Sequence, residues 1–149
     1  MAKIDALNAY RITFVSKLFR GPKDADASHR VLQILLDALC ACNVSYLQDH
    51  PETPLLYSSD LITKKPRVHY ELEEAGNENW QDIPTTLELG YGDCEDLACW
   101  RAAELIVREK ILARPTFTFK LRKNGGVLYH IIVKKPDGSI EDPSRRLGM

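Results

Sequence analysis

The feature that most constrains this chain is a change of period near residue 116. Upstream, apolar residues recur at helical spacing. From 116 to 122 they alternate singly, with Phe117, Phe119 and Leu121 on one face and Thr118, Lys120 and Arg122 on the other. Asn124-Gly125-Gly126 signals a hairpin turn, residues 127–135 a second strand, Pro136-Asp137-Gly138-Ser139 another turn, and residues 140–142 the start of a third strand. Connections this short only join antiparallel neighbours. Helices followed by a meander predict an α+β domain, and 149 residues are enough for one core.

Ahead of the meander, Ser28 reads as the cap of a long amphipathic helix to about residue 48. Its stripe is Val31, Ile34, Leu35, Ala38, Leu39 and Cys42, and His50-Pro51 ends it. Residues 4–19 favour a helix, closed by Gly21-Pro22. Residues 1–27 are therefore read as an N-terminal segment with a linker, and 28–149 as a single domain. Prolines at 51, 54, 66 and 84 predict an irregular arm over 51–86 crossing the surface, with one short strand within 67–72. Trp80 lies in a polar stretch of that arm and has to dock. Gly90 and Gly92 then bring the chain sharply into a helix reaching about residue 110.

Charge narrows the partners. The 20 Lys+Arg against 21 Asp+Glu leave a net charge of −1, and Lys64-Lys65, Lys134-Lys135 and Arg145-Arg146 are pairs, not a patch. This predicts no nucleic-acid and no membrane partner. No wholly apolar run reaches the ~18 residues of a span, and the N-terminus lacks a signal-peptide h-region. A soluble, cytoplasmic protein is expected. Cys40 and Cys42 diverge on a helix and cannot bridge. No Cys/His spacing suits zinc. Cys40, Cys42 and Cys99 read as reduced core thiols, and His29 and His69 as surface residues.

Cys94 is different. It opens a helix, with Asp93 as the expected N-cap, where free N–H groups and the helix dipole favour a thiolate. His130 lies in the central strand of the meander and Asp142 on the next, so a strand laid against the helix start would bring imidazole to sulfur and carboxylate to imidazole. Register works against the last step. A tight turn at Asp137-Gly138 sets Asp142 opposite Val133 or Lys134, roughly 10–13 Å past His130 at ~3.3 Å per residue, so twist or a bulge must close the gap. Glu141 points to the other face.

Trp80 and Pro84, then Gly90-Tyr91-Gly92-Asp93-Cys94-Glu95-Asp96-Leu97-Ala98, then Tyr129-His130 and Asp142-Pro143-Ser144, resemble the transglutaminase-like cysteine proteases of the papain-like superfamily, in particular the bacterial transglutaminase-like proteinases. The likeness covers about residues 78–146. It implies a papain-like arrangement, a nucleophile helix packed on a small antiparallel sheet, with a Cys94–His130–Asp142 triad and Trp80 lining the site. Tyr91, beside the nucleophile, either shapes the cleft or packs. The backbone N–H of Cys94 is the natural oxyanion donor.

The resemblance requires no cofactor, and it raises calcium at Asp93, Glu95 and Asp96. These acids are hard oxygen ligands that otherwise raise the thiol pKa; the plainer reading is that they complement the helix dipole. The expected function is cysteine-dependent acyl transfer, most simply hydrolysis of a peptide or other amide bond, acting on a protein or peptide substrate. An amine-accepting transglutaminase or an acyltransferase uses the same chemistry. The alternative is a structural or assembly protein that keeps the fold, since the compact form also looks like small transglutaminase-like proteins of tailed phages. In that case the protein is incorporated in a virion, with residues 51–86 and 145–149 as contact surfaces.

Overall fold

The structure, a computed structural model, describes residues 25–74 and 78–149; the helix expected over 4–19 lies outside them. The order is α1 (Ala25–Asp49), β1 (His69–Tyr70), α2 (Ile83–Leu89), β2 (Tyr91–Gly92), α3 (Cys94–Arg108), β3 (Arg114–Leu121), β4 (Val127–Lys134), β5 (Ile140–Glu141) and α4 (Pro143–Arg146). This is an α+β fold. The meander is the expected antiparallel sheet β3-β4-β5, with Arg114 opposite Lys134 through to Leu121 opposite Val127, and Val133 opposite Glu141. β1 and β2 form a separate parallel pair.

α1 departs from expectation in two ways. It begins at Ala25, so Ser28 sits buried in its first turn instead of capping it. Its buried face is Leu32, Leu36, Cys40, Asn43 and Leu47, one residue round from the predicted stripe, leaving Ile34 65% exposed and Cys42 on the surface. α1 is apolar on nearly every side, so periodicity alone could not select its face. Partners did: Asn43 is fully buried because its carbonyl oxygen accepts the Ile83 N–H at 3.0 Å. By length and composition Ser28–Asp49 would also suffice to cross a membrane, at mean hydropathy 1.4. Here its Leu32–Leu47 face is built into the core against α3.

α3 is the central element. Leu97, Ala98, Cys99, Trp100, Ala102, Ala103 and Leu105 are all buried, and the small residues among them let α1 approach closely. β3 and β4 close the other side through Ile131 and Val133. His29, expected at the surface, is half-buried among Phe117, Phe119 and Tyr129, with ring centroids 5.1, 4.6 and 5.6 Å away.

The described residues of the arm over 51–86 are mostly irregular as expected, but Thr53, Leu56, Val68 and Gln81 are buried and form part of the core's wall. Its end is the helix α2, which the sequence reading missed. The signals were present: Asp82 caps by accepting the Thr85 N–H at 3.0 Å, Pro84 sits in the first turn, and Gly90 closes it at φ 79°. Seven residues are too few to display a helical period. Gly92 has a steric role. A Cβ there would lie 3.0 Å from the Asp96 Cβ and 3.3 Å from the Thr86 Cγ2. Gly92→Ala is therefore expected to cost ~1–3 kcal/mol in urea unfolding; a cost below ~0.5 kcal/mol would show that the entry to α3 yields easily.

Candidate active site

α3 begins at Cys94 with Asp93 as N-cap in extended conformation, as the sequence indicated. The half-buried Cys94 thiol donates to the Glu95 carboxyl, with Sγ 3.2 Å from Oε2. The backbone N–H of Ile131 lies close enough to the sulfur to favour its thiolate. That amide is open to α3 because β5 covers β4 only at Val133 and Lys134. The mouth of α3 thus meets β4 at the residue following His130. Burial first, and the Glu95 charge second, push the thiol pKa well up.

His130 Nε2 lies 2.8 Å from Asp142 Oδ2. The expected 10–13 Å offset does not arise, for a specific reason. β5 stops at Glu141, and Asp142 turns out of the strand to become the N-cap of α4, accepting the Arg145 N–H at 3.2 Å. With Glu141 opposite Val133, Asp142 falls beside Ile132, diagonal to His130 on the same face. Asp142 is therefore a helix cap and not a strand residue. With Nε2 engaged, Nδ1 is the ring nitrogen left to exchange a proton.

The acids beside Cys94 divide into two roles. Asp96 is a capping residue: its carboxylate accepts the Gln81 N–H at 2.7 Å and the Asp93 N–H at 3.1 Å. Asp93 completes the capping box by accepting the Asp96 N–H, and it also meets acids from the arm. One carboxylate oxygen each from Glu73, Glu78 and Asp93 lie within 4.8 Å of one another, and Asp93 Oδ1 is buried without a hydrogen-bond partner. The converging set is thus Asp93 with Glu73 and Glu78, rather than Asp93 with Glu95 and Asp96. The acidic residues Glu71, Glu73, Glu74 and Glu78 were visible in the sequence, but nothing there said that Glu73 and Glu78 meet Asp93.

Burial, then the Asp93 charge, push Glu95 up to about 10 and Asp96 up to about 8; burial likewise raises Asp93. Carboxyls held above their unfolded values, near ~4, keep protons in the native state that the unfolded chain releases. Stability is therefore expected to fall as pH rises from ~4 toward about 8 and then about 10, with a slope on the order of 1.4 kcal/mol per pH unit for each proton. Urea midpoints in chelator between about pH 5 and pH 8 check the sign; a rise over that range would contradict the burial argument.

Trp80 is half-buried against the core, and Tyr91 is half-buried on β2 with its ring 6.1 Å from His69. Tyr70, which the sequence did not single out, lies close enough that its phenol is raised by burial and by the charges of Cys94, Asp93 and Glu95.

In comparisons with protein-family models, with curated proteins and with solved structures, nothing matches this chain.

Proposed function

We propose that this chain is a cysteine-dependent acyl-transfer enzyme of transglutaminase-like, papain-like architecture that hydrolyses a peptide or other amide bond. The observation that carries the reading is the 2.8 Å His130–Asp142 bond on a strand whose next amide faces the Cys94 sulfur. His130 Nδ1 takes the thiol proton and the sulfur attacks the amide carbonyl. Asp142 holds the ring in its tautomer and balances the imidazolium. The Cys94 N–H at the start of α3 stabilises the oxyanion. The C–N bond then breaks, the amine leaves with the proton from His130, and water resolves the thioester with His130 again as base. A primary amine in place of water gives transamidation instead. Trp80, Tyr91 and Tyr70 are the candidates to line the cleft.

The test is intact mass after exposure to a peptide vinyl sulfone. One adduct on Cys94 in the native protein, absent in Cys94→Ala, is expected; adducts distributed over exposed thiols alone would overturn the reading.

Calcium fits the chain at Asp93 with Glu73 and Glu78, because three hard oxygen donors converge and one of them is buried unpaired. When bound, it would supply positive charge beside the acids that hold the thiol protonated. A thermal shift at millimolar calcium that Glu73→Gln abolishes is expected; no shift would remove the ion from the proposal.

The Cys94 thiol's bond to the Glu95 carboxyl, which holds its proton away from His130, also favours a second reading, an assembly protein that keeps the fold with little or no activity. A Cys94 that stays unreactive with calcium present, in a folded protein, would select it.

A further inference from the structure

We infer that Arg101 and Glu141 are positioning residues that set the reach of Asp142 to His130, an inference that rests on the catalytic reading of Cys94, His130 and Asp142. Glu141 points away from His130, and its role becomes clear from what it touches. Arg101 Nε donates to Glu141 Oε1 at 2.7 Å, Tyr57 Oη donates to the same oxygen at 2.7 Å, and Lys135 Nζ lies 3.2 Å from Oε2. Arg101 Nη1 is held in turn by Glu104 at 3.2 Å and Glu109 at 3.0 Å. Its side chain is only 12% exposed. Burial disfavours its charge, and the bonds to Glu141 and Glu109 more than offset that. The guanidinium of Arg146, on α4, lies 3.8 Å from the centroid of the Tyr57 ring and joins α4 to the same cluster.

The placement along α3 makes this more than a surface ion pair. Seven residues are close to two helical turns, so Cys94 and Arg101 share a face ~10 Å apart on one rigid rod. The first carries the nucleophile to β4, and the second grips β5 one residue before Asp142. β5 has two residues, and its ladder covers only Val133 and Lys134. So short a ladder leaves the following residue to be fixed from its flanks, by the α4 cap after it and by the part-buried Arg101–Glu141 bond before it. α3 thereby references both the sulfur and the carboxylate of the site to one element. Misplacement of a catalytic group by ~1 Å can cost about 10²-fold in rate.

The experiment compares Arg101→Lys, Arg101→Met and Glu141→Gln with wild type and with Arg114→Met, which breaks a separate pair with Asp37. Two readouts are taken in full-length protein: the Cys94 iodoacetamide rate relative to the exposed Cys42, and the proton resonance of the His130 Nε2–H donated to Asp142. The inference expects Arg101→Lys and Glu141→Gln to fold, to slow Cys94 by ~10-fold and to lose or broaden that resonance. The double variant is then no slower than the slower single, because both act through one contact. Arg114→Met leaves both readouts unchanged.

Should Arg101→Met fail to fold, Glu141→Gln decides, since it keeps the side chain's size but weakens the charge-assisted bond to Arg101 and cannot offer acceptor oxygens to both Arg101 and Lys135. An unaltered resonance and rate in folded Arg101→Lys and Glu141→Gln would overturn the inference. A resonance lost in the variants, with wild-type Cys94 no faster than Cys42, would support the positioning role while overturning the catalytic reading.

Discussion

Native protein treated with iodoacetamide is expected to be modified at Cys94 and Cys42, with Cys40 and Cys99 protected until it is denatured. His130→Ala is expected to slow Cys94 alone by ~10²-fold or more. The four thiols are free and differ in access: Cys42 is exposed, Cys94 half-buried, and Cys40 and Cys99 buried. Cys99 donates to the Leu36 carbonyl at 3.5 Å inside the α1–α3 contact, and burial pushes Cys40 up to about 11. Neither has thiolate or access to offer. Cys42 reacts as an ordinary surface thiol, so its rate is an internal reference.

Cys94 carries opposing influences. Burial and Glu95 raise its pKa, while the Ile131 N–H favours the thiolate. The proposed function requires His130 to tip that balance by holding the proton, and Asp142→Ala, by freeing the ring, is expected to slow Cys94 by ~10-fold or more. The rate is also expected to rise on adding calcium, because neutralising Asp93 and its neighbours removes charge beside the sulfur. Time-resolved mass spectrometry of tryptic peptides reads all four sites at once. A Cys94 rate equal in wild type and His130→Ala would end the proposal of a triad.

The second large effect is structural. Glu104→Ala is expected to destabilise the fold by ~3–5 kcal/mol in urea unfolding, with Glu104→Gln costing markedly less. Glu104 is 1% exposed, yet it has three donors: the Leu56 N–H at 2.6 Å, Trp100 Nε1 at 3.0 Å and Arg101 Nη1 at 3.2 Å. Truncation leaves the Leu56 amide and the Trp100 indole buried without an acceptor and Arg101 with less compensation. Glutamine keeps an acceptor oxygen for the first two and surrenders only charge. The bond to Leu56 also ties the proline-rich arm to α3, so Glu104→Ala is expected to increase proteolysis within 51–66 more than elsewhere. A cost below ~1 kcal/mol would mean that water replaces the carboxylate readily.

Strands β3 and β4 and the Cys94 helix were legible because their signals are local. Alternation over 116–122, Gly125 and Gly138 in left-handed conformations, and an acidic cap before Cys94 each act within a few residues. α2 was legible in principle, through Asp82, Pro84 and Gly90, but its length hides any period. The face of α1, the burial of His29 and the surface position of Cys42 were not. In a helix apolar nearly all round, the buried side is chosen by which neighbours offer complementary shape and hydrogen bonds.

The candidate site divides in the same way. Sequence alone determined that Cys94 opens a helix and that His130 lies mid-strand, because capping and alternation are short-range preferences of the backbone. Tertiary structure alone decided that Asp142 leaves its strand to cap α4 and reach His130, that Asp93 turns toward Glu73 and Glu78, and that Arg101 holds Glu141. Those are contacts between segments far apart along the chain. Their geometry follows from how buried charges find partners once the core has closed, and no local pattern encodes it.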